Sequence, residues 1–536
     1  MAEKEITIEI KNLEVIALFA ILLAFFVIEV QMTLSRPIVF GDEGHHAKLS
    51  QWIGQNVEYP KWVPFAGTNL EKRGFTRPAL WNLLGASLIF IFGFHESILK
   101  FLIPFVGVMI TGPAIFALTK KLFNKEVAFI ATIIAISIPS FVTYSVLYYT
   151  DALLTLYLSL SILTLILAIE TNHKKYWIVS GLFAGLAFFT KSAGYALFFV
   201  AGVFFLYQCF KNRQFFKNLK NYVIWTIFAA ILVGTFFGRN YILFQNLCSD
   251  IPLSYQGPGK CEILDPYVDQ YKYTSTAVQA GTEVSVIKFG IIEYLNFAYG
   301  NVWFVFFGLL CGLMIMAARK NEKDILILLS LLPILVIYFR TPDTRAENMS
   351  RYLLGWVPII GIVVANYFET VYDFVKKYQK YLALAVFIIV IFFSYQNLKE
   401  KVDGMYNVKG QWSQNFWDGC NYIKNNLPKD ARVFTIWAGP TEFNCQRNIG
   451  GGGGDVVLSG NLTLAYSRLK AQGVTHIFIQ KGTIGTQQVS EVYNWNFIQL
   501  LQNNPDYFKK LYENGESNLQ NCLYGRCDGA IIYEVK

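Results

Sequence analysis

Two neighbouring stretches decide the fold: residues 15–34 read VIALFAILLAFFVIEVQMTL, and residues 40–49 read FGDEGHHAKL. The first stretch is predominantly apolar and has the length of about 20 residues that a helix needs to cross a bilayer. The second is polar and places two carboxylates and two imidazoles just beyond that helix. The pair predicts a membrane protein with chemically active groups at the point where its chain leaves the bilayer.

The composition of the whole chain favours a membrane protein. Of its 536 residues, 54% are hydrophobic and only 15% are charged, whereas a soluble domain has about 25% charged residues. The net charge of +9 alone would also suit nucleic acid or anionic lipid as a partner. The cations instead follow membrane topology, and no nucleic-acid-binding signature is found, so we expect no nucleic-acid partner.

Eleven apolar runs predict eleven transmembrane helices. They lie near residues 15–34, 101–118, 127–147, 152–170, 177–190, 193–209, 222–244, 297–317, 325–339, 352–369 and 381–395. No small-residue cleavage site follows the first run, so we interpret it as a retained helix. The run 78–94 is interpreted as a helix embedded in the outer interface or re-entrant, because a full span there would reverse every later segment.

The short connections predict the orientation. With a cytoplasmic N-terminus, each connection on that side holds at least two Lys or Arg, as in residues 119–126, whereas the opposite connection 145–151 holds none. This asymmetry follows the positive-inside rule. It predicts a cytoplasmic N-terminus and an extracytoplasmic C-terminal part, in the plasma membrane or, in a eukaryote, the endoplasmic reticulum.

The chain divides into two predicted domains. Residues 1–395 form a transmembrane domain, in which residues 35–96 are one long outer loop with interfacial helices. Residues 396–536 alternate β-rich and helical runs, which predicts a soluble extracytoplasmic α/β domain.

The eight cysteines agree with this sidedness. Two of them, Cys209 and Cys311, lie in apolar runs and are interpreted as inert core thiols. The other six lie in polar segments as three close pairs: Cys248 and Cys261, Cys420 and Cys445, Cys522 and Cys527. In an oxidising compartment these pairs would suit three short-loop disulfides, although the sequence leaves the pairing open.

Two aspartates mark the outer boundary. Asp42 follows Gly41 where a helix would start, so Asp42 is a helix cap and Glu43 complements the helix dipole in the simplest interpretation. Asp151 ends the connection 145–151 and has the same capping interpretation. Alternatively, a carboxylate in a partly dry cleft can accept a proton from a hydroxyl group.

Cations line the same boundary. They are Arg77, Lys191, Arg239, Arg340, Arg345 and Arg351. Snorkelling toward lipid headgroups explains any one of them. Several cations that face two acids on one side of the membrane suit the binding of a phosphate or diphosphate.

A metal site is a further alternative. His45 and His46 could join Asp42 and Asp151 as ligands, but adjacent helical residues diverge by about 100°, so at most one imidazole would point inward. His46 and Asp151 are therefore the candidate ligands of a divalent metal. No Cys/His spacing motif accompanies them, and no cofactor is certain.

Five motifs together resemble the GT-C superfamily of membrane glycosyltransferases, in the branch of the protein O-mannosyltransferases and the lipid A aminoarabinose transferase. FGDEGHHAKL is similar to the Asp-Glu motif of the first outer loop, and TRPALWNLLG to the basic-residue–Pro motif later in that loop. YYTDALLTLYLSLSILTLIL resembles the segment in which a second-loop Asp opens the fourth span. GLFAGLAFFTKSAG resembles the Gly-rich helix that ends in Lys, and SRYLLGWVP a later Arg-Tyr-Leu…Pro pattern.

The resemblance implies a GT-C fold and the transfer of one sugar, with inversion, from a polyprenyl-phosphate donor to an acceptor hydroxyl. The acceptor would be a protein, a lipid or a glycan. By resemblance, Asp42 is the general base and Glu43 supports it. The donor phosphate would be held by Arg77, Lys191, Arg239, Arg351 and Tyr352. The single acid of the YTD stretch departs from the metal-dependent relatives, which use Asp-x-Asp, and lowers the expectation of a metal.

A secondary transporter or lipid flippase is the alternative function. It would require inverted repeats and charges near the middle of the membrane. The sequence has neither a visible repeat nor paired midplane charges, because its charges cluster at one boundary. A third possibility is a receptor or adhesion protein in which residues 396–536 bind a partner and the helices only anchor them. Eleven spans exceed what anchoring needs.

Overall fold

A computed structural model describes most of the chain. The described residues are 13–38, 41–61, 78–212, 215–244, 302–340, 354–378, 414–435, 438–450, 461–471, 473–480, 497–515 and 529–536, with six single residues between 385 and 399. Several predictions concern residues outside these ranges. They are the roles of Arg77, Arg345, Arg351 and Tyr352 and the cysteine pairs Cys248–Cys261 and Cys522–Cys527.

The first apolar run forms α1 (Leu13–Ser35). One side of this helix is buried through Leu18, Leu22 and Met32, while Phe19 and Leu23 on another side are more than 40% exposed. An exposed apolar face is what a helix in contact with lipid presents. The polar stretch after it forms α2 (Gly41–Asn56) and has Asp42 and Glu43 in its first turn.

The remaining helices of the first domain follow in chain order. They are α3 (Leu80–Phe92), α4 (Glu96–Pro104), α5 (Thr111–Leu122), α6 (Lys125–Ser137), α7 (Pro139–Ser145), α8 (Asp151–Thr171), α9 (Lys174–Thr190), α10 (Ala196–Asn212), α11 (Phe215–Phe244), α12 (Val302–Arg319), α13 (Glu322–Arg340) and α14 (Val357–Tyr378). A π-helical segment, Phe105–Ile110, joins α4 to α5, so Glu96–Leu122 runs as one span.

Among the described residues, six helices are long and apolar enough to cross a membrane, or seven if the bent pair α6–α7 counts as one span. The predicted run 127–147 therefore bends, by 66° between α6 and α7. Pro139 begins α7, and a proline pushes the preceding residue, Ile138, out of helical geometry. The predicted span 381–395 falls almost entirely outside the described residues.

Helix α3 occupies most of the apolar run 78–94. At 13 residues it is about 20 Å long, which is shorter than the apolar core of a bilayer. It packs on α2, and Ala86 of α3 and Ile53 of α2 lie in one buried apolar cluster. The interpretation of α3 as an interfacial helix stays a prediction.

The C-terminal part contains a five-stranded sheet. Its strands are β1 (Arg432–Phe434), β2 (Asn448–Gly450), β3 (His476–Gln480), β4 (Phe508–Gly515) and β5 (Gly529–Val535), in the order β2-β1-β3-β5-β4. The first three strands are parallel, and β5 and β4 are antiparallel to their neighbours. The helices of this part are α15 (Gln414–Asn426), α16 (Ala438–Cys445) and α17 (Leu462–Ala471).

A disulfide joins α15 to α16. It links Cys420 to Cys445, with their Cα atoms 4.5 Å apart. Cys209 and Cys311 are free thiols. The structure therefore confirms the expected disulfide between Cys420 and Cys445, a pairing that the sequence alone left open.

Candidate active site at the ends of the helices

The start of α2 presents its two acids to different environments. Asp42 is exposed, whereas Glu43 is completely buried. Adjacent residues of a helix point about 100° apart, so one helix turn can face both a cleft and the protein interior. The two members of the Asp-Glu motif therefore cannot play the same part.

Glu43 forms a buried bidentate ion pair with Arg36. Arg36 Nη1 lies 2.8 Å from Glu43 Oε2, and Arg36 Nη2 lies 2.7 Å from Glu43 Oε1. Both side chains have no exposed surface. Parallel N–H···O bonds of this kind fix the geometry of both partners, and the attraction is strong because water is excluded.

The same pair binds the connection between α7 and α8. Arg36 donates a further hydrogen bond to the Val146 carbonyl, and Glu43 Oε1 accepts one from the Tyr148 backbone N–H at 2.9 Å. Glu43 thus ties the start of α2 to Arg36 and to the connection between α7 and α8. Its contacts are those of a residue that positions its neighbours.

Tyr148 anchors the connection between α7 and α8 to α2 and α3. Its hydroxyl hydrogen bonds with Ser50 Oγ at 2.9 Å, and burial raises the pKa of Tyr148 well above its usual value. Gly85 of α3 makes room for this contact, because a Cβ atom there would overlap the Tyr148 hydroxyl.

His46 takes part in the contact between α2 and α3. Its Nδ1 lies 3.3 Å from Asn82 Oδ1, and the Asn82 amide donates a hydrogen bond to the His46 carbonyl at 2.9 Å. The ring also lies edge-on to Tyr149, with centroids 6.4 Å apart. These contacts hold α3 against the helix that bears Asp42.

Asp151 and Lys191 are brought together from different helices. Asp151 is the first residue of α8, and Lys191 directly follows the last residue of α9. Lys191 Nζ lies 2.6 Å from Asp151 Oδ1, and the exposed fractions of the two side chains are 17% and 1%. The carboxylate is therefore buried, while the lysine side chain stays partly accessible.

This pairing bears on the metal hypothesis. Asp151 directs its carboxylate at Lys191, and nowhere in the described part of the chain do three or more His, Cys, Asp or Glu residues gather as metal ligands would. The described residues alone therefore do not complete a set of metal ligands. We therefore assign no chemical step to a metal held by the candidate pair His46 and Asp151.

Arg239 binds the outer loop at the end of α11. Its guanidinium lies over the ring of Tyr59, 4.4 Å from the centroid, and donates to the Pro60 carbonyl. Burial raises the pKa of Tyr59 to about 12, partly opposed by the charge of Arg239, so this tyrosine is neutral at physiological pH. The described contacts of Arg239 thus hold the loop that leads toward Arg77.

Sequence reasoning missed two residues of the site, Arg36 and Tyr148. Arg36 carried a usable signal, because a cation directly after a membrane-length helix needs a partner. Tyr148 carried none, since it contributes its backbone N–H to the site and any residue except proline has one.

The comparisons with known proteins fit this geometry. Residues 77–236 match the family model described as dolichyl-phosphate-mannose-protein mannosyltransferase. The matched segment contains Asp151, Lys191 and Tyr148. No curated protein matches the chain in sequence.

Two solved membrane enzymes share the fold. The oligosaccharyltransferase of Archaeoglobus fulgidus in the apo form superposes with a TM-score of 0.64 at 12% identity, over 92% of this chain and 73% of that one. ArnT from Cupriavidus metallidurans, bound to undecaprenyl phosphate, gives a TM-score of 0.62 at 11% identity, over 97% of both chains. The family match and the shared fold confirm the predicted resemblance to the GT-C glycosyltransferases.

Proposed function

We propose that this protein transfers a single sugar from a polyprenyl-phosphate donor to an acceptor hydroxyl at the outer leaflet, with inversion. The family model matched by residues 77–236 is that of a lipid-phosphate-sugar-dependent transferase. Solved relatives of the same fold hold dolichol phosphate or undecaprenyl phosphate. The sugar is a hexose or a pentose, and the acceptor is a protein, lipid or glycan hydroxyl.

One geometric observation carries the proposal. Glu43 Oε1 accepts a hydrogen bond from the Tyr148 N–H at 2.9 Å. This bond joins the residue next to Asp42 to a residue three positions before Asp151, which in turn holds Lys191. A candidate base and a candidate phosphate-binding cation from distant parts of the chain therefore lie at the same end of the helices.

The reaction uses these groups in a direct displacement. The acceptor oxygen attacks the anomeric carbon, and its proton passes to the Asp42 carboxylate. The bond between the anomeric carbon and the phosphate oxygen breaks, and its electron pair stays on the lipid phosphate. Lys191 stabilises the charge that develops there, since a fixed cation at a leaving group lowers the barrier. Arg77, Arg351 and Tyr352 are further donor-binding candidates.

Each positioning group has a definite part in this scheme. Asp151 orients Lys191, so that the ammonium meets the phosphate from one direction. Glu43 and Arg36 orient the first turn of α2, which carries Asp42. Arg239 holds residues 59 and 60 of the outer loop.

The test is a transfer assay on the full-length chain in nanodiscs. Hexosyl and pentosyl polyprenyl phosphates serve as donors, serine-containing peptides and lipids serve as acceptors, and free polyprenyl phosphate is measured. We expect transfer by the wild type and a loss of about 10²- to 10⁴-fold in Asp42→Asn. Asp506→Asn, the same change at an exposed position of the C-terminal domain, is the matched control.

Two results would contradict the proposal. Undiminished transfer by Asp42→Asn would remove this residue from the role of base. Failure of the wild type to release lipid phosphate from any donor, combined with movement of the donor across the membrane of proteoliposomes, would favour a flippase.

A further inference from the structure

The C-terminal domain touches the outer loop through two consecutive residues of α16, Phe443 and Asn444. The next residue, Cys445, ties α16 to α15 within the C-terminal domain. Phe443 packs on apolar side chains, Asn444 donates a hydrogen bond, and Cys445 forms the disulfide with Cys420. Short as it is, α16 therefore connects two domains in more than one way.

Phe443 belongs to the apolar core of the outer-loop helices. It is 4% exposed and lies in the same buried cluster as Ile38, Ala47 and Trp81. Its ring meets that of Phe94 edge to face, with centroids 6.0 Å apart. A side chain of the C-terminal domain thus completes the packing around α2, which excludes a loosely tethered arrangement of the two domains.

Asn444 reaches the corner between α1 and α2. Its side-chain amide donates to the Ile38 carbonyl at 2.8 Å, across 406 positions of the chain. Ile38 is completely buried and lies two residues after Arg36 and four residues before Asp42. The corner is therefore held from the protein interior by the Arg36–Glu43 pair and from the C-terminal domain by Asn444.

The disulfide fixes the helix that makes these contacts. Cys445 follows Asn444 directly, and its bond to Cys420 ties the end of α16 to α15. The next residue, Gln446, has a positive φ of 53°, which ends the helix at this point. The amide of Asn444 is consequently presented from a short, covalently anchored element rather than from a free loop.

We propose that Asn444 is a positioning residue for the transfer reaction: it fixes the α1–α2 corner and so sets the orientation of Asp42. The C-terminal domain is then part of the catalytic assembly and not only an appended module. This role rests on the proposed transferase function. Asn444 itself touches neither reacting group.

The test compares Asn444→Asp with Asn426→Asp in the full-length chain in nanodiscs. Asn444→Asp keeps the shape of the side chain but replaces its donor by an acceptor that faces the Ile38 carbonyl. Asn426 also donates its amide to a backbone carbonyl, that of Tyr422, but at an exposed position of α15. Both variants make the same chemical change, so a difference between them reports on the position of the lost hydrogen bond.

Two measurements are made on the folded, monodisperse fraction. Hydrogen–deuterium exchange reports on the amides of α2 and of strand β3, and the transfer assay gives kcat per folded molecule. We expect faster exchange in α2 with unchanged exchange in β3, and kcat lower by about tenfold, for the loss of one partly buried hydrogen bond to the backbone. Asn426→Asp should behave as the wild type in both measurements.

Unchanged exchange of α2 in Asn444→Asp would overturn the proposal, and so would faster exchange with an unchanged kcat. If Asn444→Asp does not yield folded protein, Asn444→Ala removes the donor without adding a charge and is judged by the same criteria. Should the wild type transfer no sugar, the proposed function fails. The exchange of α2 would then decide by itself whether Asn444 holds the corner.

Discussion

Lys191 and Asp151 form an ion pair in which Nζ lies 2.6 Å from Oδ1, although forty positions separate them along the chain. Their exposures differ, at 17% for the lysine side chain and 1% for the aspartate. A buried carboxylate thus fixes a lysine side chain that stays partly accessible. Because the ion pair fixes the orientation of Lys191, the lysine would need little rearrangement to bind a phosphate.

Replacing Lys191 tests this interpretation. We expect Lys191→Met to raise the donor KM by about 10- to 100-fold, the value of one hydrogen bond to a charged group. Lys191→Arg keeps the charge and should lose less. The measurement is donor titration in the transfer assay, with Lys510→Met, at an exposed ion pair of β4, as the control. A wild-type KM in Lys191→Met would show that the donor phosphate binds elsewhere.

Breaking the Arg36–Glu43 pair should destabilise the protein. Glu43→Gln leaves the Arg36 guanidinium buried without its anion, and removal of one partner from a buried pair costs about 3–5 kcal/mol. Thermal unfolding of the purified full chain measures the loss. Glu322→Gln breaks an exposed pair with Lys211 and should leave the unfolding temperature unchanged. Equal changes of the unfolding temperature in the two variants would mean that the buried pair contributes no more to stability than the exposed pair.

Adding a methyl group at Gly85 tests the packing beneath the site. The Cβ of Gly85→Ala would overlap the Tyr148 hydroxyl and lie 3.0 Å from Ser50 Oγ. Because Tyr148 is buried, we expect a loss of about 1–3 kcal/mol in unfolding free energy, together with reduced transfer. Gly234→Ala in α11 meets nothing within 4 Å and should be neutral or slightly stabilising. Similar behaviour of both variants would contradict the steric argument.

The C-terminal sheet should lose stability in mild acid. Burial lowers the pKa of His476 below its usual 6.5, partly opposed by the charge of Glu534 on the neighbouring strand. The unfolded chain therefore binds a proton at a higher pH than the folded one, so stability is complete above about pH 6.5 and declines as the pH falls below it. His476 Nδ1 also lies 2.8 Å from Thr475 Oγ1.

The measurement for this prediction is thermal unfolding of the full chain between pH 5 and pH 7.5, a range chosen around the reference pKa of about 6.5. We expect the unfolding temperature of the wild type to fall on acidification and that of His476→Gln to fall less. Parallel curves for the two proteins would exclude His476 as the source of the acid sensitivity.

The positions of the site residues along the chain were open to prediction from sequence. Asp42 lies in the first turn of a helix, and Asp151 and Lys191 lie where helices begin and end, as local composition indicated. Helix ends depend on nearby residues, through caps, charges and breaks in apolar runs. That Asp42 and Lys191 share the extracytoplasmic side stays a prediction from the distribution of lysines in the connections.

The pairings among these residues could not be predicted. The sequence suggested Asp151 as a metal ligand, and in the structure Asp151 pairs with Lys191. The sequence indicated no partner for Arg36, which pairs with Glu43 in the structure. Such contacts depend on how distant helices pack, and periodicity carries no information about which helices become neighbours. For the same reason, the packing of Phe443 among the outer-loop helices could not be predicted from the sequence.

We predict that the short length of α3, in its predicted interfacial position, makes the outer loop responsive to the thickness of the surrounding bilayer. Its last residues, Phe90, Ile91 and Phe92, are 64–65% exposed, and the helix is too short to reach the opposite leaflet. Its depth is then set by the mismatch between apolar side chains and lipid tails. Since α3 packs on α2, liposomes with shorter or longer acyl chains should change the turnover rate even when protein and donor stay the same.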